Sequence, residues 1–143
     1  PPDSALPAHT RKVCVDSLDA EVNEAPRGAF YLVLTHRHDL DLRIAEAILR
    51  RGDFGFFGLI GSQTKRARFI HRFEERGIAP EAIARMTCPI GVPGIEGKEP
   101  EVIAASVVAQ LLQAASAACG PSRAQAQASA SLRSAATSST LTV

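Results

Sequence analysis

Six consecutive residues, Gly61-Ser62-Gln63-Thr64-Lys65-Arg66, bring together the parts of an anion site. Gly61 and Ser62 make a turn with free backbone N–H groups, and Ser62 and Thr64 add hydroxyls. The turn follows an apolar run, Phe56-Phe57-Gly58-Leu59-Ile60, and precedes a helix-forming stretch. A helix is positive at its start, so Lys65 and Arg66 in a first turn are unfavourable unless an anion lies among them. A phosphate is the anion expected there, held by backbone N–H groups and by Lys65 and Arg66. The motif is neither a GxxxxGK loop completed by Ser or Thr nor GxGxxG, since Gly58 and Gly61 give only GxxG. The bland alternative is an ordinary strand–helix turn with solvated cations.

Two further segments carry reactive side chains. Thr35-His36-Arg37-His38-Asp39 offers two imidazoles and a carboxylate, and His36 and Asp39 are candidates for ligand contact. As a metal set the segment is incomplete, because a closed site needs further ligands at regular spacing. No metal site is assigned, and His38 or Asp39 would equally serve as a helix cap. Cys88 opens a segment rich in Gly and Pro, Cys88 to Lys98, where its sulfur could meet a soft metal or be donated. A buried, inert thiol is the commoner case. Gly91, Gly94 and Gly97 permit close backbone approach or positive φ, and Lys98 adds a cation. That loop either embraces a ligand or only reverses the chain. Asp16 could end a strand where dinucleotide folds place a ribose-binding acid, on position alone. A catalytic triad has no support: GxSxG does not occur, and neither Ser62 nor Ser106 shows a paired His.

The elements that must position these residues alternate. Short apolar runs at 12–16, 30–35 and 56–60 read as strands, the latter two covered on both faces as in a parallel sheet. Helices are expected from Asp39 or Asp41 to Arg51, closed by Gly52; from Thr64 to Arg76, stopped by Gly77; from Pro80 to Arg85; and onward from Pro100. Phe69, Ile70 and Phe73 would face inward, Lys65, Arg68, Arg72 and Arg76 would form a basic flank, and Arg66 would turn toward the sheet. The fold class is α/β, an incomplete Rossmann-like, doubly wound parallel sheet flanked by helices. Ligands of such sheets sit beyond the carboxyl ends of the strands, where loops 35–39, 61–65 and 88–98 would gather.

Composition narrows the partners. The 143 residues hold 16 Lys plus Arg against 15 Asp plus Glu, a net charge of +1. That balance disfavours nucleic acid or an acidic membrane as the main partner. Three cysteines without a CxxC pair fit a reducing cytoplasm. No apolar run approaches the roughly 20 residues of a membrane span, and no signal peptide is visible. Residues 1–10 read as a disordered leader, 11–118 as the domain and 119–143 as a disordered Ala/Ser-rich tail. A start at Pro1, with Met86 as sole methionine, suggests a piece of something longer.

Three blocks carry a family resemblance: Thr35-His36-Arg37-His38-Asp39-Leu40-Asp41-Leu42, Gly58-Leu59-Ile60-Gly61-Ser62-Gln63-Thr64-Lys65-Arg66-Ala67-Arg68-Phe69, and the stretch from Cys88-Pro89-Ile90-Gly91 through Lys98-Glu99-Pro100 to Ala104. In this order, over roughly residues 30–112, the chain resembles the C-terminal domain of xanthine dehydrogenase accessory proteins, the XdhC/CoxI family. The resemblance implies a cytoplasmic maturation factor, not a catalyst. Such a factor binds molybdenum cofactor (molybdopterin) as cargo while its sulfido ligand is installed. It then passes the cofactor to a molybdenum hydroxylase such as xanthine dehydrogenase, with a cysteine desulfurase as a further partner. Gly61, Ser62, Thr64, Lys65 and Arg66 would take the phosphate, Gly91, Gly94 and Lys98 would cover the pterin, His36 or Cys88 would approach the metal end, and Asp39 would be a further cofactor contact. Two departures stand out: the family's additional N-terminal domain and the opening Gly-rich strand–turn–helix are both missing here. An incomplete sheet leaves an unpaired edge, so a homo-oligomer is plausible. Two rival readings are an NAD(P)-dependent oxidoreductase, which lacks GxGxxG, and a cofactor-free docking module using Arg68, Arg72 and Arg76.

Overall fold

The computed structural model describes residues 7–119. The leader before residue 7 and the tail beyond residue 119 lie outside the described residues. Eight elements follow one another: α1 (Leu18–Glu24), β1 (Phe30–Val33), α2 (His38–Arg51), β2 (Phe56–Leu59), α3 (Gln63–Glu75), α4 (Pro80–Ala84), β3 (Met86–Thr87) and α5 (Pro100–Ala118). The three strands form one parallel sheet in the order β1-β2-β3. This is the incomplete Rossmann-like α/β sheet expected from the alternation of apolar runs and amphipathic segments.

Local chemistry explains the helix limits. Gly52 closes α2 at φ 71°, donating its N–H to Ile48 O, behind Arg50 and Arg51 in the last turn. Ser62 caps α3 by accepting from Lys65 N at 3.2 Å. Prolines open α4 and α5, where their missing N–H costs nothing.

The core lies on one face of the sheet. Val33, Phe57, Leu59 and Met86 turn toward Ala45, Ile48 and Leu49 of α2 and Phe69 and Phe73 of α3. Ile78, Ala82 and Ile83 close its end, and Ile70 packs at its margin. Phe57 and Phe73 are fully buried, and truncating such a ring costs about 3–5 kcal/mol. The inward faces of α2 and α3 are thus those their apolar spacing indicates.

The other face departs from expectation. Phe30, Leu32 and Leu34 are about half exposed, so β1 is covered on one face only among the described residues. Leu32, Leu34, Ile60 and Ile90 face α5 across an open apolar groove of about 490 Å³. Along α5, Val107 is buried but Val108 and Leu112 are exposed. Among the described residues α5 is the one helix long and apolar enough, by length and composition, to cross a membrane, with a window of mean hydropathy 1.4. Its polar residues have work within the fold: Gln110 and Ser106 hold the chain that leaves β3.

One local expectation is corrected, and two short elements are added. Residues 12–16 pair with no strand and lie exposed, so Asp16 ends no strand and the ribose-binding position lapses. Residues 17–29 hold a seven-residue helix, α1, tied to α2 by an Arg43–Asp19 ion pair at 2.8 Å. Met86–Thr87 is a strand too short for periodicity to reveal. It ends at a cis peptide, Cys88-Pro89.

Candidate functional site

The carboxyl ends of β1, β2 and β3 lead into residues 34–37, 60–62 and 88–98, so the three polar segments do share one edge of the sheet. Their centre is an internal polar network. Asp41, in the first turn of α2, is 1% exposed, and its Oδ2 accepts from Lys65 Nζ at 2.6 Å. Thr35 Oγ1 donates to Asp41 Oδ1 at 2.6 Å and accepts from Arg37 N at 3.1 Å. Lys65 Nζ also donates to Ile60 O at 2.8 Å and lies 5.3 Å from the Phe69 ring centroid. One ammonium therefore ties the end of β2 and the starts of α2 and α3 together.

This network answers the electrostatic conflict read from the sequence. A cation in the first turn of α3 does have an anion beside it, and that anion is Asp41. Lys65 is consequently a structural residue, with its charge spent inside the protein. The expectation that Lys65 serves an external phosphate is thereby displaced: loss of Lys65 would strand a buried carboxylate.

Arg66 differs from its neighbour. It is half-buried, and among the described residues its guanidinium has no hydrogen bond or ion pair. It lies close enough to Cys88 to favour the thiolate there, which places it at the sheet end as its helical position implies. The backbone N–H groups of Gln63 and Thr64 open the same helix, and those first-turn donors have no intrahelical acceptor. Gly61 and Ser62 form the turn before them, and a side chain at Gly61 would press on the Lys65 stem at 2.6 Å. Arg66, Gln63 N, Thr64 and Gly61 thus all lie at the start of α3, where β2 ends.

Cys88 is 5% exposed. Burial pushes its thiol above the usual cysteine range, the nearby Lys65 and Arg66 charges pull the other way, and Asp41 adds to the rise. Near neutral pH it is a protonated thiol, the inert form. In a variant with Cys14 and Cys119 (both exposed) changed to Ser, maleimide is expected to label Cys88 at least about tenfold more slowly than an exposed thiol. Labelling at the exposed rate would contradict the buried placement.

His36 and Asp39 sit at the same edge but do not converge. Asp39 is held by Arg37, at 2.6 Å and 3.3 Å, and that hydrogen bonding lowers its carboxyl below the usual value. His36 and His38 are exposed. Among the described residues, no three His, Cys, Asp or Glu side chains form a metal-binding group.

The 88–98 loop is pinned at its start. Gln110 accepts from Gly91 N at 2.8 Å and donates to Gly91 O at 3.1 Å. Buried Ser106 accepts from Val92 N at 2.7 Å. Gly91 has φ 113°, and a Cβ there would stand 2.7 Å from Ser106 Oγ. Gly91 is thus a clamp. Gly94, at φ 89° with open space where a Cβ would stand, and exposed Lys98 belong to the outer loop. Sequence reasoning did not single out Asp41 or Gln110 for the site. Asp41 was visible as a second acid in the first turn of α2, whereas Gln110 gave no signal.

Fold and site together define a Rossmann-like domain whose polar segments gather at the carboxyl edge of the sheet. The chain belongs to the family described as the XdhC Rossmann domain, whose model matches residues 4–111. The match takes in residues ahead of the region where the motifs lie. The chain is also similar to the "Uncharacterized protein YqeB" of Escherichia coli (strain K12), 32% identical over 116 residues. Those residues are 79% of this chain and 19% of that protein, so the chain spans about a fifth of this relative.

Proposed function

We propose that this domain carries molybdenum cofactor as cargo, bound at the carboxyl edge of the sheet, in the maturation of a molybdenum hydroxylase such as xanthine dehydrogenase. Membership of the XdhC Rossmann domain family supports the accessory role. The observation that carries the binding reading is Arg66, a half-buried guanidinium without an internal partner beside the free N–H groups of α3. That set suits the cofactor's terminal phosphate. In this reading Gly61 lets backbone approach, Thr64 offers a hydroxyl, and the outer loop with Gly94 and Lys98 covers the pterin.

The state of Cys88 bears on how sulfur arrives. A buried protonated thiol is a poor sulfur donor and a poor ligand. Sulfur then comes from a partner, a cysteine desulfurase, and the domain's part is binding, not catalysis. The work belongs in the cytoplasm. NAD(P) finds little support at this edge: β1 leads into Thr35-His36-Arg37 and β2 into Gly61-Ser62, and neither turn is a dinucleotide fingerprint. The open edge of β1, flanked by exposed Phe30 and Leu32, is where a client, or a second copy, would add a strand.

Arg66→Ala is the direct test. Because the side chain has no internal partner, the variant should melt with wild-type behaviour while its affinity for cofactor falls about tenfold or more. Equal affinity in the two proteins would remove Arg66 from the site.

A further inference from the structure

The basic flank of α3 is divided in the folded chain. Arg76 is neutralised by Glu46, which Arg50 also engages at 2.8 Å. Arg68 and Arg72, two turns and one turn earlier, are exposed, and their side chains make no hydrogen bond or ion pair among the described residues. They line a cleft of about 170 Å³ between α2 and α3, with His38 on the opposite wall and Phe69 as its floor. The two acids nearby are committed elsewhere: Asp39 to Arg37, and Asp41 to Lys65. Two arginines at i and i+4 repel each other, and no carboxylate pairs with either among the described residues; Asp39, which also lines the cleft, is held by Arg37.

We propose that this cleft is a second anion site, separate from the carboxyl-edge donor set, and that it takes one phosphate dianion, free or at the end of a small metabolite. Size supports a single oxyanion group. Pockets for whole organic ligands run to about 300–1,000 Å³, well above this cleft. Charge supports it as well: two planar guanidinium forks face one opening and can each bind phosphate oxygens in pairs. His38 adds a ring N–H from the other wall. Arg76, on the same helix, shows the arrangement where an acid is at hand. Arg68 and Arg72 show it where the acid has to come from outside.

The test uses the full 143-residue chain at constant ionic strength, with thermal unfolding followed against inorganic phosphate, methyl phosphate and chloride. Both phosphates should raise the midpoint and chloride should not, by linkage of folding to binding. Arg68→Gln with Arg72→Gln should weaken the phosphate response at least about tenfold. Arg27→Gln, which removes half that charge at a highly exposed site, should leave it intact. In an Arg66→Ala background, which removes the carboxyl-edge donor set, a phosphate response should remain and should be lost on adding Arg68→Gln with Arg72→Gln, which separates the two sites. A stronger response to methyl phosphate would identify a monoester ligand, and a stronger response to phosphate would identify the free ion. No phosphate response, or a full response in the double arginine variant, would overturn the proposal.

Discussion

Lys65→Met is expected to lower the stability of the domain by about 3–5 kcal/mol, the cost of stranding a buried carboxylate. Asp41 is 1% exposed and the Lys65 side chain 10% exposed, so water cannot replace the lost partner. The same ammonium also satisfies Ile60 O, at the mouth of β2. Marginal stabilities of about 5–15 kcal/mol make such a loss severe. Removing both charges is a different matter. Asp41→Leu with Lys65→Met should recover much of the loss, because a buried ion pair is often worth little against a well-packed apolar pair. A double-mutant cycle from urea midpoints reads the coupling. A loss below about 1 kcal/mol for Lys65→Met would show that the pair behaves as a surface contact.

Gly91→Ala is the second large effect, expected at about 2–4 kcal/mol. Its φ of 113° disfavours any L side chain, and the new methyl would meet Ser106 Oγ at 2.7 Å. Ser106 cannot simply move, because it accepts the Val92 N–H and is itself buried. The clamp with Gln110 would loosen with it, so cleavage in the 93–98 loop by a nonspecific protease should accelerate. Ser106→Ala makes a useful comparison. It leaves the Val92 N–H unmet without the backbone strain, at about 1–3 kcal/mol. Near-wild-type stability and loop protection in Gly91→Ala would contradict the clamp.

The alternating architecture was legible because two apolar runs and two amphipathic stretches agree at every level. Phe56–Leu59 reads as a strand, Gly52 and Gly77 stop helices, and Phe69 and Phe73 turn inward. The Lys12–Asp16 strand was misread for a physical reason: a short Val-containing run becomes a strand only beside another strand, and the described sheet holds β1, β2 and β3 alone. Covering of β1 likewise depends on a second layer, which pattern alone cannot place.

At the site, sequence located the conflict at Lys65 and Arg66 but assigned both cations to an external anion. What it could not supply was distance. Asp41 lies 24 residues from Lys65 and becomes its partner only when α2 and α3 pack side by side. The same packing separates Arg76, which meets Glu46, from Arg68 and Arg72, which face an open cleft. Gln110 reaches Gly91 across 19 residues with no local sign of doing so. Pairing across elements, which sequence spacing does not record, thus decides which cations are structural and which are available.

The most direct test of the central claim is a titration of the full chain and of Arg66→Ala with molybdenum cofactor under argon, read by pterin absorbance and retention on a sizing column. Stoichiometric retention by the wild-type chain, weakened in the variant at unchanged stability, is the expected result. No retention by a folded, monodisperse wild-type protein would contradict the claim that this edge of the sheet holds the cofactor.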